Sequence, residues 1–360
     1  MAEYLVSPKP APDPNIPRSN STVTVRVIDS TSTLQFDSDL PWNPRIKGLD
    51  PVKIPIYCFL ISNGNRHVLF DLGIRRDWEN LPPVIVSMIK SDYPVTVEKG
   101  MAEILDTDTT GVGIGSKDIE AIIWSHHHFD HIGDPTTFPA STDLLVGPGF
   151  KKAYWPGYPT DPQGCLLDSI AEGRNFREVE FNTGLTVGRF DAIDYFGDGS
   201  FYLLNAPGHT TGHLCGLARV TTSPESFVLM GEDACHHVGV MRPTEYLPLP
   251  ANISPSPIAK YAAGGCPGAA LQQLQPNNRP NEAFLTLSPA AFPDFEAAQE
   301  TLRKVEELDA ADNIFVILAH DRSLEGQIDF YPETINNWMA KGYRAKTRWL
   351  FCKDFAGTVE

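Results

Sequence analysis

The segment SHHHFDHIGD, residues 125–134, concentrates side chains that can bind metal ions. Within it, His126, His128, Asp130 and His131 offer three imidazoles and one carboxylate in six residues. Alternate residues of an extended segment point the same way, so His126 and His128 can chelate one ion, and Asp130 and His131 are then placed for a second. Borderline cations such as zinc favour this mixture of nitrogen and oxygen ligands. The spacing therefore favours a metal site over a polar loop with clustered histidines.

Three further candidate ligands stand where apolar runs end. His209 follows FYLLNAPG, Asp233 follows FVLMGE and His320 follows NIFVILA. Loops at one edge of a sheet layer can converge on a single site, so we expect these side chains to join the first cluster. The predicted ligands are His126, His128, Asp130, His131, His209, Asp233 and His320.

The other polar side chains near these motifs favour different roles. His127 alternates with the candidate ligands and is expected to point away from the metals. Cys235 is expected to be a packed thiol, and His213 to lie in the core or behind a ligand. For the adjacent pair His236 and His237, a structural role and a role facing the substrate stay equally open.

Apolar runs predict the strands that position these residues. They are TVTVRVID, KIPIYCFLIS and HVLFDLG, the last two joined as a hairpin, and EAIIWS, DLLVG, REVEF, FYLLNA, LCGLARV, FVLMGED and NIFVILAHD. The clearest helix is 294–309, with one apolar face and Asp294 as its expected N-cap. The segment 76–90 contains Pro82 and Pro83, which predicts an interrupted helix or a lid.

A long segment, 245–268, is too rich in proline and glycine for regular structure. A loop of that length inside a compact enzyme is more often functional than idle. Because it follows the strand that ends at Asp233, we expect it to form a wall of the substrate pocket. Such a wall suits a small, flat ring better than a polymer.

The composition of the chain limits the classes of partner that it is expected to bind. The chain has 360 residues, 42% of them hydrophobic and 21% charged, and a formal net charge of −16. An acidic surface of that size argues against nucleic acid and against anionic membranes. The start of the chain has no apolar run typical of a signal peptide, and no stretch reaches the roughly 20 apolar residues of a membrane span. The six cysteines show no paired spacing. We expect a cytoplasmic monomer or homodimer that acts on a small molecule.

In order and local context, these motifs resemble the metallo-β-lactamase superfamily. SHHHFDHIGD resembles its signature loop, APGHTTGH supplies the next histidine, GEDACHH matches the bridging carboxylate, and LAHD matches the last histidine. FDLG carries Asp71 as a group behind the ligands. The resemblance covers roughly residues 23–330 and implies an α/β fold, an αββα sandwich of two mixed β-sheets with outer helices. An N-terminal tail or arm, 1–22, would precede this catalytic domain, and an extension, 331–360, would pack on it.

Within the superfamily, the chain resembles N-acyl-homoserine lactonases and a fungal branch of lactonase-like and γ-lactamase-like hydrolases that open benzoxazolinone-type compounds. The resemblance implies two zinc ions, or zinc with iron or manganese at one site. By that resemblance, one ion is held by His126, His128 and His209, the second by Asp130, His131 and His320, and Asp233 bridges the two. It implies hydrolysis of a lactone or γ-lactam by a metal-bridging hydroxide, with Asp130 passing the proton to the leaving group.

One position departs from the bacterial lactonases, which carry a tyrosine three residues after the bridging aspartate. This chain has His236 there, so His236 is the candidate to hold the substrate carbonyl, and the substrate is expected to differ from acyl-homoserine lactones. Two alternatives stay open: a thioesterase, glyoxalase II-like or polyketide-releasing, that uses the same metals, and a non-catalytic binding protein on the same fold. The glyoxalase version predicts a basic C-terminal patch, where the chain has only scattered Lys341, Arg344, Lys346 and Arg348.

Overall fold

The computed structural model describes residues 3–37 and 40–359. Residues 1 and 2 of the predicted N-terminal arm and residue 360 of the predicted extension lie outside this range, as do residues 38 and 39. Within the described residues, none of the helices is both long and apolar enough to cross a membrane.

Two large β-sheets organise the described part of the chain. In chain order the strands are β1 (Thr24–Phe36), β2 (Trp42–Asn43), β3 (Val52–Asn63), β4 (Arg66–Phe70), β5 (Val95–Val97), β6 (Ile119–Ile123), β7 (Asp143–Val146), β8 (Phe176–Glu178), β9 (Thr186–Val187), β10 (Phe190–Asp194), β11 (Phe201–Asn205), β12 (Leu214–Thr222), β13 (Glu225–Met230), β14 (Asn252–Ile253), β15 (Cys266–Pro267), β16 (Thr286–Leu287) and β17 (Ile314–Ile317).

Both large sheets are mixed. The first has the order β5-β1-β3-β4-β6-β7-β8, antiparallel from β5 to β4 and parallel from β4 to β8. The second has the order β17-β13-β12-β11-β10-β9, in which only the β13–β17 pair of the described strands is parallel. Two small pairs, β14-β15 and β16-β2, lie apart from them. The predicted strands and the β3–β4 hairpin are confirmed.

The helices of the described chain are mostly short. They are α1 (Pro83–Asp92), α2 (Met101–Asp106), α3 (Phe129–Ile132), α4 (Phe150–Tyr154), α5 (Gly268–Gln272), α6 (Phe295–Ala310), α7 (Trp338–Lys341), α8 (Tyr343–Thr347) and α9 (Ala356–Val359). The predicted long helix is confirmed as α6, and Asp294 caps it by accepting a hydrogen bond from the Ala297 amide at 3.1 Å. The interruption predicted within 76–90 is also present, because a 3₁₀ turn at Trp78–Asn80 precedes α1, which begins at Pro83.

Two apolar clusters show the layering. Phe59 of the first sheet and Met230 of the second belong to one buried cluster, so the two sheets pack face to face. Ile89 of α1 and Val305 of α6 belong to the other cluster, together with sheet residues such as Leu60. Helices therefore cover the outer faces, which is the predicted αββα sandwich.

Parallel strand pairs bring the polar motifs together. Asp71 follows β4 and His126 follows its parallel neighbour β6; Asp233 follows β13 and His320 follows its parallel neighbour β17. The carboxyl ends of parallel strands meet at one edge of a sheet, and side chains that follow them lie close together.

A close backbone approach fixes the loop that carries the next histidine. Gly208 has a φ of +125°, and a Cβ added there would lie 2.1 Å from the Ala298 nitrogen in α6. Only glycine therefore allows this loop to lie against the first turn of α6.

We predict that Gly208→Ala displaces either α6 or the His209 loop. The free energy of unfolding should fall by roughly 2 kcal/mol or more, as measured by urea denaturation, and bound metal should fall with it. The matched control is Gly197→Ala, where φ is also positive at +76° but nothing lies within 4 Å of the added atom. That control should lose only about 1 kcal/mol of backbone strain. Equal losses in the two variants would contradict the steric argument.

Candidate metal centre

Three imidazoles converge from two loops. His126 Nε2 lies 2.9 Å from His128 Nδ1 and 3.2 Å from His209 Nε2. His128 Nδ1 and His209 Nε2 are 3.1 Å apart. Nitrogen ligands of one tetrahedral zinc ion, at about 2.0 Å from the metal, stand roughly 3.3 Å from one another. The three nitrogens therefore fit a single metal ion.

A second group lies beside the first. The ligand atoms of Asp130, His131 and His320 all lie within 4.8 Å of one another. Asp130 Oδ2 is 3.7 Å from His131 Nε2 and 3.5 Å from His320 Nε2. Asp130 and His131 belong to α3, and His320 follows β17, so this group also draws on both sheets. It could hold another ion.

One carboxylate reaches both groups. Asp233 Oδ2 lies 3.6 Å from His126 Nε2, 3.4 Å from His209 Nε2 and 3.3 Å from His131 Nε2. Asp233 Oδ1 lies 3.1 Å from His320 Nε2. The side chain is buried, in a short turn at Glu232–Ala234. The structure thus brings all the sequence-predicted ligands together, with Asp233 between the two groups.

Hydrogen bonds behind the rings leave their inward nitrogens as acceptors. His131 Nδ1 donates to Asp71 Oδ2 at 2.7 Å, and His320 Nδ1 donates to the Pro55 carbonyl at 2.9 Å. Each Nε2 is then the unprotonated nitrogen and presents a lone pair to the centre. His131 Nε2 is buried without a hydrogen-bond partner. A cation would explain this orphaned acceptor.

Asp71 supports the cluster from behind, as the sequence suggested. Its Oδ1 accepts from the Ser125 amide and its Oδ2 from the Ser125 hydroxyl, both at 2.6 Å. The Ser125 hydroxyl in turn accepts from His126 Nδ1 at 2.9 Å. Asp71 therefore orients His126 as well as His131.

The pKa shifts of these side chains fit the roles of neutral imidazole and ionised carboxylate ligands. Burial lowers the pKa of His209 to about 3. Burial acts in the same direction on His131, but the carboxylates of Asp233 and Asp130 outweigh it and raise that pKa. Burial would raise the pKa of Asp233, but His131 and His320 outweigh it and hold that pKa well below its usual range. A metal ion would take the place of the proton that His131 otherwise attracts.

Of the two adjacent histidines, His236 is the one that the resemblance to the bacterial lactonases singled out, and the two side chains face opposite ways. His236 Nε2 lies 3.2 Å from Asp233 Oδ2, and its ring stacks on His320 with 5.8 Å between centroids. His237 Nδ1 accepts from the Gly239 amide, so its Nε2 carries the proton and donates to Asp354 at 3.1 Å. His236 is therefore the one that lies at the centre.

Sequence reasoning missed Asp354. Its carboxylate binds His237 and also accepts from Arg322, through Nη2 at 2.5 Å and Nε at 3.2 Å. His237 lies four residues after Asp233 and Arg322 two residues after His320, so one C-terminal carboxylate ties two ligand loops together. The bond to His237 spans 117 residues, a separation that leaves no local signal.

Glu232 was missed as well. It is buried beside Asp233, neither carboxyl oxygen has a hydrogen-bond partner, and Oε2 lies 4.0 Å from His131 Nδ1. Burial and the charges of Asp71 and Asp233 raise the pKa of Glu232 well above its usual range. The sequence offered one signal for Glu232, since the GED segment after a buried strand carries this second acidic residue beside Asp233.

A cavity of about 420 Å³ opens over the candidate ligands. Asp130 and His236 reach it, and most of its wall is apolar or aromatic, including Leu34, Phe36, Leu40, Pro41, Ile54, Met88, Tyr93, Phe129, Tyr154, Ala290, Ala291 and Pro293. The segment 245–268 contributes no residue, so the prediction that it forms this wall was wrong. Its main chain instead pairs with the N-terminal arm, where the Leu5 amide donates to the Leu249 carbonyl at 3.0 Å.

The residues expected to be structural lie outside both ligand groups. His127 stacks on Tyr154 with 3.7 Å between ring centroids and borders the cavity. Cys235 is a buried thiol, and His213 Nδ1 lies 2.8 Å from the Ala206 carbonyl oxygen.

Known proteins are similar over most of this chain. The metallo-beta-lactamase superfamily model matches residues 52–220. The metallo-hydrolase mfmC of Annulohypoxylon moriforme is 54% identical over 357 residues, 99% of this chain and 93% of that protein. The gamma-lactamase FDB1 of Fusarium pseudograminearum is 43% identical over 352 residues, 94% of this chain and 84% of that protein. The cytochrome P450 monooxygenase mpaDE of Penicillium roqueforti is 53% identical over 96% of this chain, which spans only 39% of that longer protein.

A solved structure shares the fold. It is a 1.4 Å structure of an N-acyl homoserine lactone hydrolase with N-hexanoyl-L-homoserine bound at its catalytic metal centre. The TM-score is 0.55 at 18% identity, and the match covers 88% of this chain and 100% of the other.

We predict that purified protein carries two divalent ions per chain and that Asp233→Ala loses at least one of them. The reason is that this carboxylate lies within 3.6 Å of ligand atoms from both groups. Elemental analysis of metal per chain measures the loss. The control is Cys235→Ala, which changes a buried side chain two residues away, outside both groups, and should keep the metal. One ion per chain in fully active wild-type protein would contradict a dinuclear centre.

Proposed function

Because the chain belongs to the metallo-beta-lactamase superfamily of hydrolases, we propose that it opens a small cyclic ester or amide, a lactone or γ-lactam, with two divalent metal ions. The observation that carries the proposal is the convergence of the histidine and aspartate groups beneath a largely apolar cavity. The mixture of imidazole and carboxylate donors favours zinc, with iron or manganese as the alternative at one site.

A pair of divalent ions bound here would polarise the substrate carbonyl and make water acidic enough to attack it near neutral pH. The chain supplies the proton transfer. Asp130 borders the cavity, and the oxygen that it turns towards His131 and His320 is Oδ2. Asp130 Oδ1 is then available to take the proton of the attacking water and to deliver it to the leaving oxygen or nitrogen.

His236 is placed to hold the carbonyl oxygen. Its imidazole borders the cavity beside Asp233 and packs between His320 and His209, with 5.0 Å between the His236 and His209 ring centroids. A ring nitrogen that carries a proton can donate a hydrogen bond to the negative charge that develops on the substrate. This is the task that a tyrosine hydroxyl would perform at the same position.

The cavity favours a flat, apolar ring as substrate. Its wall includes the aromatic side chains of Phe36, Tyr93 and Tyr154 and the aliphatic side chains of Leu34 and Met88. The relatives agree with this class, since one is named a gamma-lactamase and the structural neighbour a lactone hydrolase. A thioesterase ranks lower because, among the described residues that border this cavity, none is a lysine or arginine that would bind an acidic thiol carrier.

We predict that the metal-loaded protein opens γ-lactones and cyclic carbamates or lactams with a higher kcat/KM than it shows for acyl thioesters. A cavity of about 420 Å³ with a mostly apolar wall can hold a compact ring close to the metals, whereas a flexible chain loses more conformational freedom on binding. Hydrolysis rates over the three substrate classes, with and without a chelator, measure the ranking, and the chelator should abolish turnover. Thioester hydrolysis faster than that of every cyclic substrate would overturn it.

We predict that His236→Ala lowers turnover by roughly ten- to a thousand-fold, the usual effect of losing one oxyanion donor. Metal content should not change, because all the candidate ligands remain. His236→Tyr should recover part of the rate, since a hydroxyl can donate to the same oxygen. The control is His127→Ala, which removes another histidine from the cavity wall. Loss of metal in His236→Ala would instead show that His236 supports the ligands, and normal turnover in both His236 variants would exclude it from the site.

A further inference from the structure

The segment 245–268 lines a second cavity, of about 250 Å³. Its walls come from three parts of the chain: Tyr4 of the N-terminal arm, residues 247–257, and residues 344–350 near the C-terminus. This cavity shares no lining residue with the one over the candidate ligands. Whatever it holds, it is a separate site.

The charge that lines this second cavity is positive. Arg344, Lys346 and Arg348 border it, and none of the described lining residues is acidic. The whole chain has a formal net charge of −16, so an all-cationic lining is the reverse of its general character. The basic residues that appear scattered in the sequence are brought together by the fold.

Arg348 lacks a bonded carboxylate. The residue is only 9% exposed, and its Nε is buried without a hydrogen-bond partner. The nearest carboxylate, Asp309, is 3.9 Å from Arg348 Nη2 and is already bound by Arg242 through two bonds of 2.7 and 2.8 Å. The hydrogen bond that Arg348 Nη2 does make is to the main-chain carbonyl of Asp309, at 3.4 Å. A buried cation with so little compensation is energetically unfavourable.

The surrounding charges do not correct this excess. Arg242, Arg344 and Arg348 lie around the buried carboxylate of Asp309, and Arg344 also pairs with Asp312, whose side chain is 98% exposed. Burial lowers the pKa of Arg348 to about 9, although Asp309 opposes that shift. An anion in the cavity would supply the missing negative charge.

We propose that this cavity binds a small organic carboxylate with a flat, apolar body. The carboxylate would pair with Arg348 and Lys346, because both cationic residues line the cavity and a guanidinium forms charge-assisted hydrogen bonds with such a group. The body would lie against Tyr4, Trp349 and Pro250, and further apolar side chains, Ile253 and Leu350 among them, complete the wall. Those apolar walls favour a carboxylate on a ring over inorganic phosphate, which has no apolar part to bury.

The test is calorimetric titration of the full-length, metal-loaded protein with benzoate, with the neutral analogue benzamide and with inorganic phosphate. We expect benzoate to bind at a 1:1 stoichiometry to this cavity. Benzamide should bind at least about tenfold more weakly because it lacks the charge that pairs with the basic side chains, and phosphate should bind at least about tenfold more weakly because it has no apolar part to bury. Benzoate could also reach the metals, so the titration is repeated on Asp233→Ala protein, where binding at this second cavity should persist.

Two variants locate the site. Arg348→Met should weaken benzoate binding at least tenfold and, without benzoate, should leave the melting temperature equal or higher, because it removes an uncompensated buried charge. Lys346→Met changes an exposed side chain and should weaken binding in the same direction, which keeps the test valid if Arg348→Met folds poorly. The matched control is Lys341→Met, an exposed lysine paired with Asp329 that does not line the cavity.

Three results would overturn the proposal. They are no binding of benzoate to wild-type protein, binding that neither Arg348→Met nor Lys346→Met weakens, and binding of phosphate more tightly than benzoate.

Discussion

The carboxylate of Asp233 is the interaction on which the rest of the structure depends. A buried carboxylate requires cations or hydrogen-bond donors beside it, and here it lies within 3.6 Å of five imidazoles. One of them, His236, lies three residues after Asp233, and the other four arrive from three separate loops. Those loops can meet only if β6, β11, β13 and β17 end at one edge of the sandwich. The mixed order of the two sheets, with parallel pairs at β4–β6 and β13–β17, satisfies that requirement.

The convergence of the loops does not by itself fix the orientation of the imidazole rings. Hydrogen bonds on the side of each ring that faces away from the centre hold that orientation. Asp71 orients His131 and, through Ser125, His126, while the Pro55 carbonyl orients His320. Asp354 ties the stretch after Asp233 to the stretch after His320. Apart from Ser125, which directly precedes His126, these partners come from parts of the chain distant from the loops that they hold, and the pocket geometry therefore requires the whole sandwich.

Local signals in the sequence predicted the strands, α6 with its Asp294 cap, and the ligand candidates, because each depends on residues that are neighbours in the chain. The choice of His236 over His237 rested on the resemblance to the lactonases, because the contact that turns His237 away, with Asp354, lies far along the chain and leaves no local signal. The role assigned to 245–268 was wrong for a similar reason. Proline and glycine content predicts an irregular backbone but says nothing about which surface that backbone faces, and here it faces Tyr4 and Arg348.

The origin of the cavity wall over the candidate ligands has an evolutionary consequence. Most of the apolar wall comes from residues 34–93, before the first candidate ligand, and from residues 290–293, between the last two. The metal-binding loops contribute little to it beyond the ligands themselves. Selectivity and reactivity are thus encoded in different stretches of the chain. Mutation can reshape the wall around a new ring while the ligand loops stay constant, and one hydrolytic centre can serve a succession of substrates.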